Sequence, residues 1–128
     1  MQIPGAPYGS DVDNLPKDVF ALYAEVRRCV QYTAYTAAVL SLRKLLMHVA
    51  VDCGAEENRK FVEYVKYLDD EHYIPPSARA WVDTLRTYGN EATHQIELMS
   101  EGEAKRLLDF AEMLLKLVYE FPAKNITV

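Results

Sequence analysis

Ser100-Glu-Gly-Glu-Ala-Lys-Arg-Leu-Leu-Asp-Phe-Ala-Glu-Met-Leu-Leu-Lys-Leu-Val-Tyr-Glu-Phe121 decides the fold. Its apolar residues Ala104, Leu107, Leu108, Ala111, Leu114, Leu115 and Val118 recur three and four apart, so an α-helix gathers them into one stripe. Ser100 with Glu103 three positions on is a capping box, in which each side chain satisfies an amide that the helix start leaves orphaned. Pro122 ends the run. A helix with so wide an apolar stripe must bury it against other helices.

Four further helices are expected upstream. The first begins at a cap on Asn14 or Asp13, takes Pro16 into its first turn, and runs to Gln31 with Val19, Leu22, Tyr23, Val26 and Val30 on one face. The second covers 34–52 and stops at Gly54. It is apolar nearly all round, apart from a stripe of Ser41, Lys44, His48 and Asp52, which places it at the centre of a bundle or against a second subunit. The third spans 56–68 with Phe61, Val62, Val65 and Leu68 facing in. The acidic turn Asp69-Asp70-Glu71-His72 and Pro75-Pro76 follow, and the fourth starts near Ser77 with Ala78, Trp81, Val82, Leu85 and Ala92 inward. No repeat or strand pattern is present. The expectation is an all-α, five-helix antiparallel bundle over 14–128, preceded by a flexible arm at 1–13.

Composition narrows the function classes. The 128 residues are 50% hydrophobic and 26% charged, enough for one domain with its own core. A net charge of −5 opposes a duplex-DNA coat or an electrostatic membrane binder, both of which need surplus lysine and arginine. The apolar run 33–51 is interrupted by Arg43, Lys44 and His48, so it reads as a core helix and not a membrane span. Residues 1–14 are polar and carry Pro and Gly, unlike a signal peptide, and a cytoplasmic location is expected. Cys29 and Cys53 read as two small core residues in a reducing compartment.

The candidate chemistry sits in Arg86-Thr-Tyr-Gly-Asn-Glu-Ala-Thr-His94. At 3.6 residues per turn Arg86, Asn90 and His94 stack in one sector beside the apolar face. A cation, an amide and an imidazole in one groove can hold an RNA phosphate and move a proton on its 2′-hydroxyl. On periodicity alone the more ordinary reading is that Arg86 pairs with Asp83 while Asn90 and His94 cap a helix end or bond across a loop. Arg43, among Val39, Leu42, Leu46 and Met47, must either pair with a carboxylate or reach the same groove as a second phosphate clamp. His48 and Asp52 have ligand spacing, but two residues make no zinc site, and the 69–72 turn lacks the glycine and alternating oxygens of a calcium loop. Neither a metal nor a cofactor is expected. Tyr64, Tyr67 and Tyr73 can stack on bases or close the rim of the core.

These pieces also carry a resemblance. Leu15-Pro-Lys-Asp-Val-Phe-Ala-Leu-Tyr23, Ala37-Ala-Val-Leu-Ser-Leu-Arg43, Leu85-Arg-Thr-Tyr-Gly-Asn-Glu-Ala-Thr-His94 and Leu114-Leu-Lys-Leu-Val-Tyr-Glu-Phe-Pro122 are similar to domain-of-unknown-function family 4145, within the HEPN superfamily of helical, often ribonucleolytic domains. The resemblance implies a homodimer whose Arg and His meet across a cleft, and metal-independent RNA cleavage leaving a cyclic phosphate. Active members set the arginine directly before the polar residue. Here Gly89 precedes Asn90, and Arg86 lies a turn earlier. Met47 also stands where relatives often carry a glutamate four residues after the arginine at 43. The implied function is a dimeric interaction or RNA-associated module in a bacterial defence, restriction or toxin setting, with a degraded ribonuclease motif. The alternative is an active endoribonuclease on single-stranded RNA, with His94 moving the proton, Arg86 stabilising phosphate and Asn90 orienting. Whether the chain is an enzyme stays open at this point.

Overall fold

Lys17–Gln31 forms α1, Tyr35–Asp52 α2, Phe61–Asp70 α3 and Glu101–Leu115 α4 in a computed structural model that describes residues 8–78, 80, 83 and 101–124. No strand occurs among the described residues, so the chain is all-α, as its periodicity requires. Four of the five expected helices stand among these residues. The helix expected from Ser77 is preceded by a 3-10 turn, Pro76–Ala78; Ala80 and Asp83 are helical, and its remainder lies outside the described residues.

α1 and α2 form a helical hairpin joined by Tyr32, Thr33 and Ala34. α1 turns Val19, Tyr23, Val26 and Val30 inward at helical spacing. α2 is the centre, packed against α1, α3 and α4, and it buries Ala38, Val39, Leu42, Leu45, Leu46, Val49 and Ala50. That three-sided packing is why its composition is apolar nearly all round. α3 contributes Phe61, Tyr64, Val65 and Leu68. α4 contributes Ala104, Leu107, Leu108, Phe110, Ala111, Leu114 and Leu115, while Val118 is half-buried against the same core. Burying a side chain of this size stabilises by roughly 1.5–3 kcal/mol.

The helix ends follow one device three times. After α2, the Gly54 N–H donates to Val51 O (3.0 Å) and the Ala55 N–H to Ala50 O (2.9 Å), with Gly54 at φ +118°. This is the Schellman arrangement, which satisfies carbonyls that the helix end leaves open. Thr33 at φ +61° closes α1 the same way, through Thr33 N–H to Val30 O and Ala34 N–H to Cys29 O. His72 at φ +64° closes α3 through bonds to Asp69 O and, from Tyr73, to Leu68 O.

Three expected boundaries shift. Neither Asn14 nor Asp13 caps α1: Pro16 is the N-cap, and Asn14, at φ +66°, sends its side-chain amide to Tyr119 O (3.2 Å). α3 starts at Phe61 and not at 56, because Asn58 is left-handed (φ +63°), Lys60 is extended, and the Arg59 N–H donates to the Tyr64 hydroxyl (3.1 Å). The Lys60 N–H then reaches the Glu63 carboxylate (3.4 Å), the reach-back half of a capping box. Pro122 does not end the last helix. α4 passes into a π-helical segment, Lys116–Glu120, and then a final α-turn, Phe121–Ala123. Proline has no N–H, and its ring would strike the carbonyl of Val118 in an unbroken α-helix; a wider turn relieves that clash. The expected capping box on Ser100 and Glu103 lies outside the described side chains.

Candidate functional site: an arginine on an aromatic ring

Arg43 projects from α2 half-buried, between the buried turns of Val39, Leu42 and Leu46. Its guanidinium lies over the Phe61 ring, 4.9 Å from the centroid. Phe61 is itself buried as the first residue of α3, so the ring is a fixed platform. Such a stack is worth about 0.5–2 kcal/mol, more as water is excluded. Arg43 Nε is buried with no hydrogen-bond partner. An unsatisfied buried donor costs about 1–3 kcal/mol, so this nitrogen stands out chemically. The expected ion pair between Arg43 and a neighbouring carboxylate is not found among the described residues. The aromatic platform takes its place. The pairing with Phe61 was not legible in the sequence, because a contact across two helices leaves no local spacing signal.

Arg86, Asn90 and His94, the expected catalytic group, lie outside the described residues, as does Arg86 in its second role as an RNA contact.

At the far end of α2 a polar cluster gathers. The Tyr119 hydroxyl donates to Asp52 (2.7 Å), the Tyr67 hydroxyl donates to Cys53 O (3.0 Å), and Tyr73 lies beside the Cys53 thiol. Burial, then Asp52, pushes the Tyr119 phenol far above its ordinary value. Asp52 remains exposed while accepting this bond, so the His48–Asp52 side of α2 faces solvent with Asp52 tethered to Tyr119. No group of three or more metal-ligating side chains occurs among the described residues. Cys29 and Cys53 are free thiols, half-buried and not fully enclosed as expected. Burial pushes both above the usual thiol value, and the neighbouring Tyr73 only partly offsets this at Cys53, the opposite of the lowered value that activates a thiol. Tyr64 is buried in the core, and Tyr67 and Tyr73 close its rim. No helix among the described residues is long and apolar enough to cross a membrane.

These features define an all-helical domain with a half-buried cationic side chain set on an aromatic ring. The chain belongs to the family Domain of unknown function (DUF4145), whose family model matches residues 24–128 and so takes in Arg43, Arg86, Asn90 and His94. No curated protein and no solved structure matches it.

Proposed function

We propose that this domain is a HEPN-like, RNA-associated module that works as a homodimer in a cytoplasmic bacterial defence, restriction or toxin setting, with a degraded ribonuclease motif. Arg43 carries the reading. A half-buried guanidinium held on a ring, with no carboxylate partner among the described residues, offers a positioned cation for a phosphate to pair with. A net charge of −5 confines any RNA contact to a small spot of this kind. In this reading Arg86 is the second phosphate contact, while the glycine between it and Asn90 displaces the arginine from the active pattern. The alternative, a metal-independent endoribonuclease, draws on the match of Asn90 and His94 to the active motif, with Arg86 stabilising phosphate.

The test combines three readouts on the purified chain. Light scattering should give twice 14.6 kDa. Anisotropy of a labelled single-stranded RNA should show binding that Arg43→Gln weakens by about tenfold, the loss of one charge-assisted contact. Incubation in excess chelator should leave the RNA intact. Cleavage abolished by His94→Ala would establish the enzyme instead, and a monomer blind to RNA would remove both readings.

A further inference from the structure

Residues 8–14 do more than lead into α1. The Tyr8 hydroxyl donates to Asp109 (3.0 Å), Ser10 donates to Glu112 through both its N–H and its hydroxyl, the Asp13 N–H donates to Glu120 (2.8 Å), and the Asn14 amide reaches Tyr119 O. The partners advance from Asp109 at Tyr8 through Glu112 at Ser10 to Glu120 and Tyr119 at Asp13 and Asn14, so the segment runs broadly parallel to the last helix. Fully extended, residues 8–14 would reach about 20 Å; the bend at Gly9 and the turn at Asp13–Asn14 shorten that towards the rise of about 16–17 Å from 109 to 120.

From the α1 side Arg27 grips the strap's backbone. Its Nε donates to Tyr8 O (2.9 Å), its Nη2 to Gly9 O (3.2 Å) and its Nη1 to Asp11 (2.8 Å). The Tyr23 hydroxyl donates to Ser10 O (2.7 Å). Val12 is buried beneath. Gly9 is required, because its φ is +83° and a Cβ there would meet Glu112 Oε1 at 3.3 Å and the Tyr23 hydroxyl at 3.4 Å. The family match begins at residue 24, so the strap lies outside the matched segment.

We propose that residues 8–14 are a releasable latch over the groove between α1 and α4, with Glu112 as its catch. Protonation of this one carboxylate undoes the strap as a unit and bares the groove, while the helices stay folded. Glu112 is where strap backbone, Ser10 Oγ (2.9 Å), Tyr23 (3.2 Å) and Lys116 (3.8 Å) converge. The other charged or titratable groups around it are Tyr8 and Asp11 on the strap, Arg27 on α1 and Asp109 on α4. A protonated carboxyl loses acceptor capacity and its attraction to Lys116.

The sign of the pH effect follows. Burial opposes the charge on Glu112, yet the Ser10 N–H and hydroxyl, Lys116 and Tyr23 prevail and hold the carboxyl below its ordinary value. The latch is therefore at full strength above the usual glutamate range. It weakens by about tenfold per pH unit as acidification proceeds, and levels off below the folded-state value.

Residue-resolved amide exchange on the full chain tests this. After correction for intrinsic rates, protection at the Ser10 and Asp13 amides should fall together in acid, while Leu45 and Val49 on α2 keep theirs. Glu112→Gln should lower both strap protections at neutral pH by about tenfold and remove the acid step. Gly9→Ala, which leaves every charge in place, should lower both and retain it. Separate loss at Ser10 and Asp13, simultaneous loss on α2, or an acid step surviving in Glu112→Gln would each overturn the latch.

Discussion

Thr33 and Gly54 occupy equivalent positions just past the ends of α1 and α2, yet only one of them is a glycine. A β-branched residue in the left-handed region sets its Cβ against the following carbonyl, at a cost of about 1–2 kcal/mol. The two amide bonds of the Schellman turn hold Thr33 there regardless. Thr33→Gly should therefore stabilise the domain by about 1 kcal/mol after the entropy that glycine loses on folding. A thermal melt would register this as a rise of about 3–5 °C. Gly54→Ala should act in the opposite sense. Its φ of +118° disfavours any side chain, and a Cβ would lie 2.8 Å from the Tyr67 hydroxyl, displacing that group from Cys53 O. A loss of about 2–3 kcal/mol in denaturant unfolding is expected.

The last helix shows how a local rule and its long-range setting divide the outcome. Pro122 announces a disturbance, and in isolation a stop is the natural consequence. Here the chain bridges the proline through the π segment, whose Tyr119 carbonyl accepts the Asn14 amide and whose Tyr119 hydroxyl is tied to Asp52. Pro122→Ala restores the missing N–H and removes the clash. It should let 116–123 relax to α geometry, with a turn in the direction of Tyr119 and loss of the bond to Asp52. Carbon chemical shifts and exchange at 118–122 would report the change. The same division explains what could be read beforehand. The inward faces of α1, α2 and α4 follow from 3.6-residue periodicity, and the Gly54 stop from backbone freedom, so both were legible. The start of α3 was not, because Asn58, Arg59 and Tyr64 set it through a contact that composition does not encode. The docking of residues 8–14 was missed for a related reason, since its partners are about a hundred positions away. At the candidate site Arg43 was legible as an arginine in apolar surroundings, but its platform, Phe61, was not.

Two tyrosines fasten the last helix to the rest of the domain. Tyr23 joins α1 to the strap and Glu112, and Tyr119 joins the π segment to the end of α2. Burial, then the charge on Glu112, pushes the Tyr23 phenol well above its ordinary value, with Arg27 opposing. Burial and Asp52 do the same at Tyr119. Each phenol donates its proton to an oxygen that would repel a phenolate, so ionisation requires the fastening to open. Because both folded values are raised, the stability they confer is complete below the unfolded tyrosine value of about 10 and is lost as pH climbs beyond it. Alkaline unfolding should therefore be cooperative, with Tyr23 and Tyr119 titrating only as the helices part. A spectrophotometric titration of phenolate absorbance alongside far-ultraviolet circular dichroism checks this. The late component should coincide with loss of helicity and shrink in Tyr23→Phe and in Tyr119→Phe. Were all nine tyrosines to ionise before the helices melt, these two hydroxyls would not be fastening the molecule.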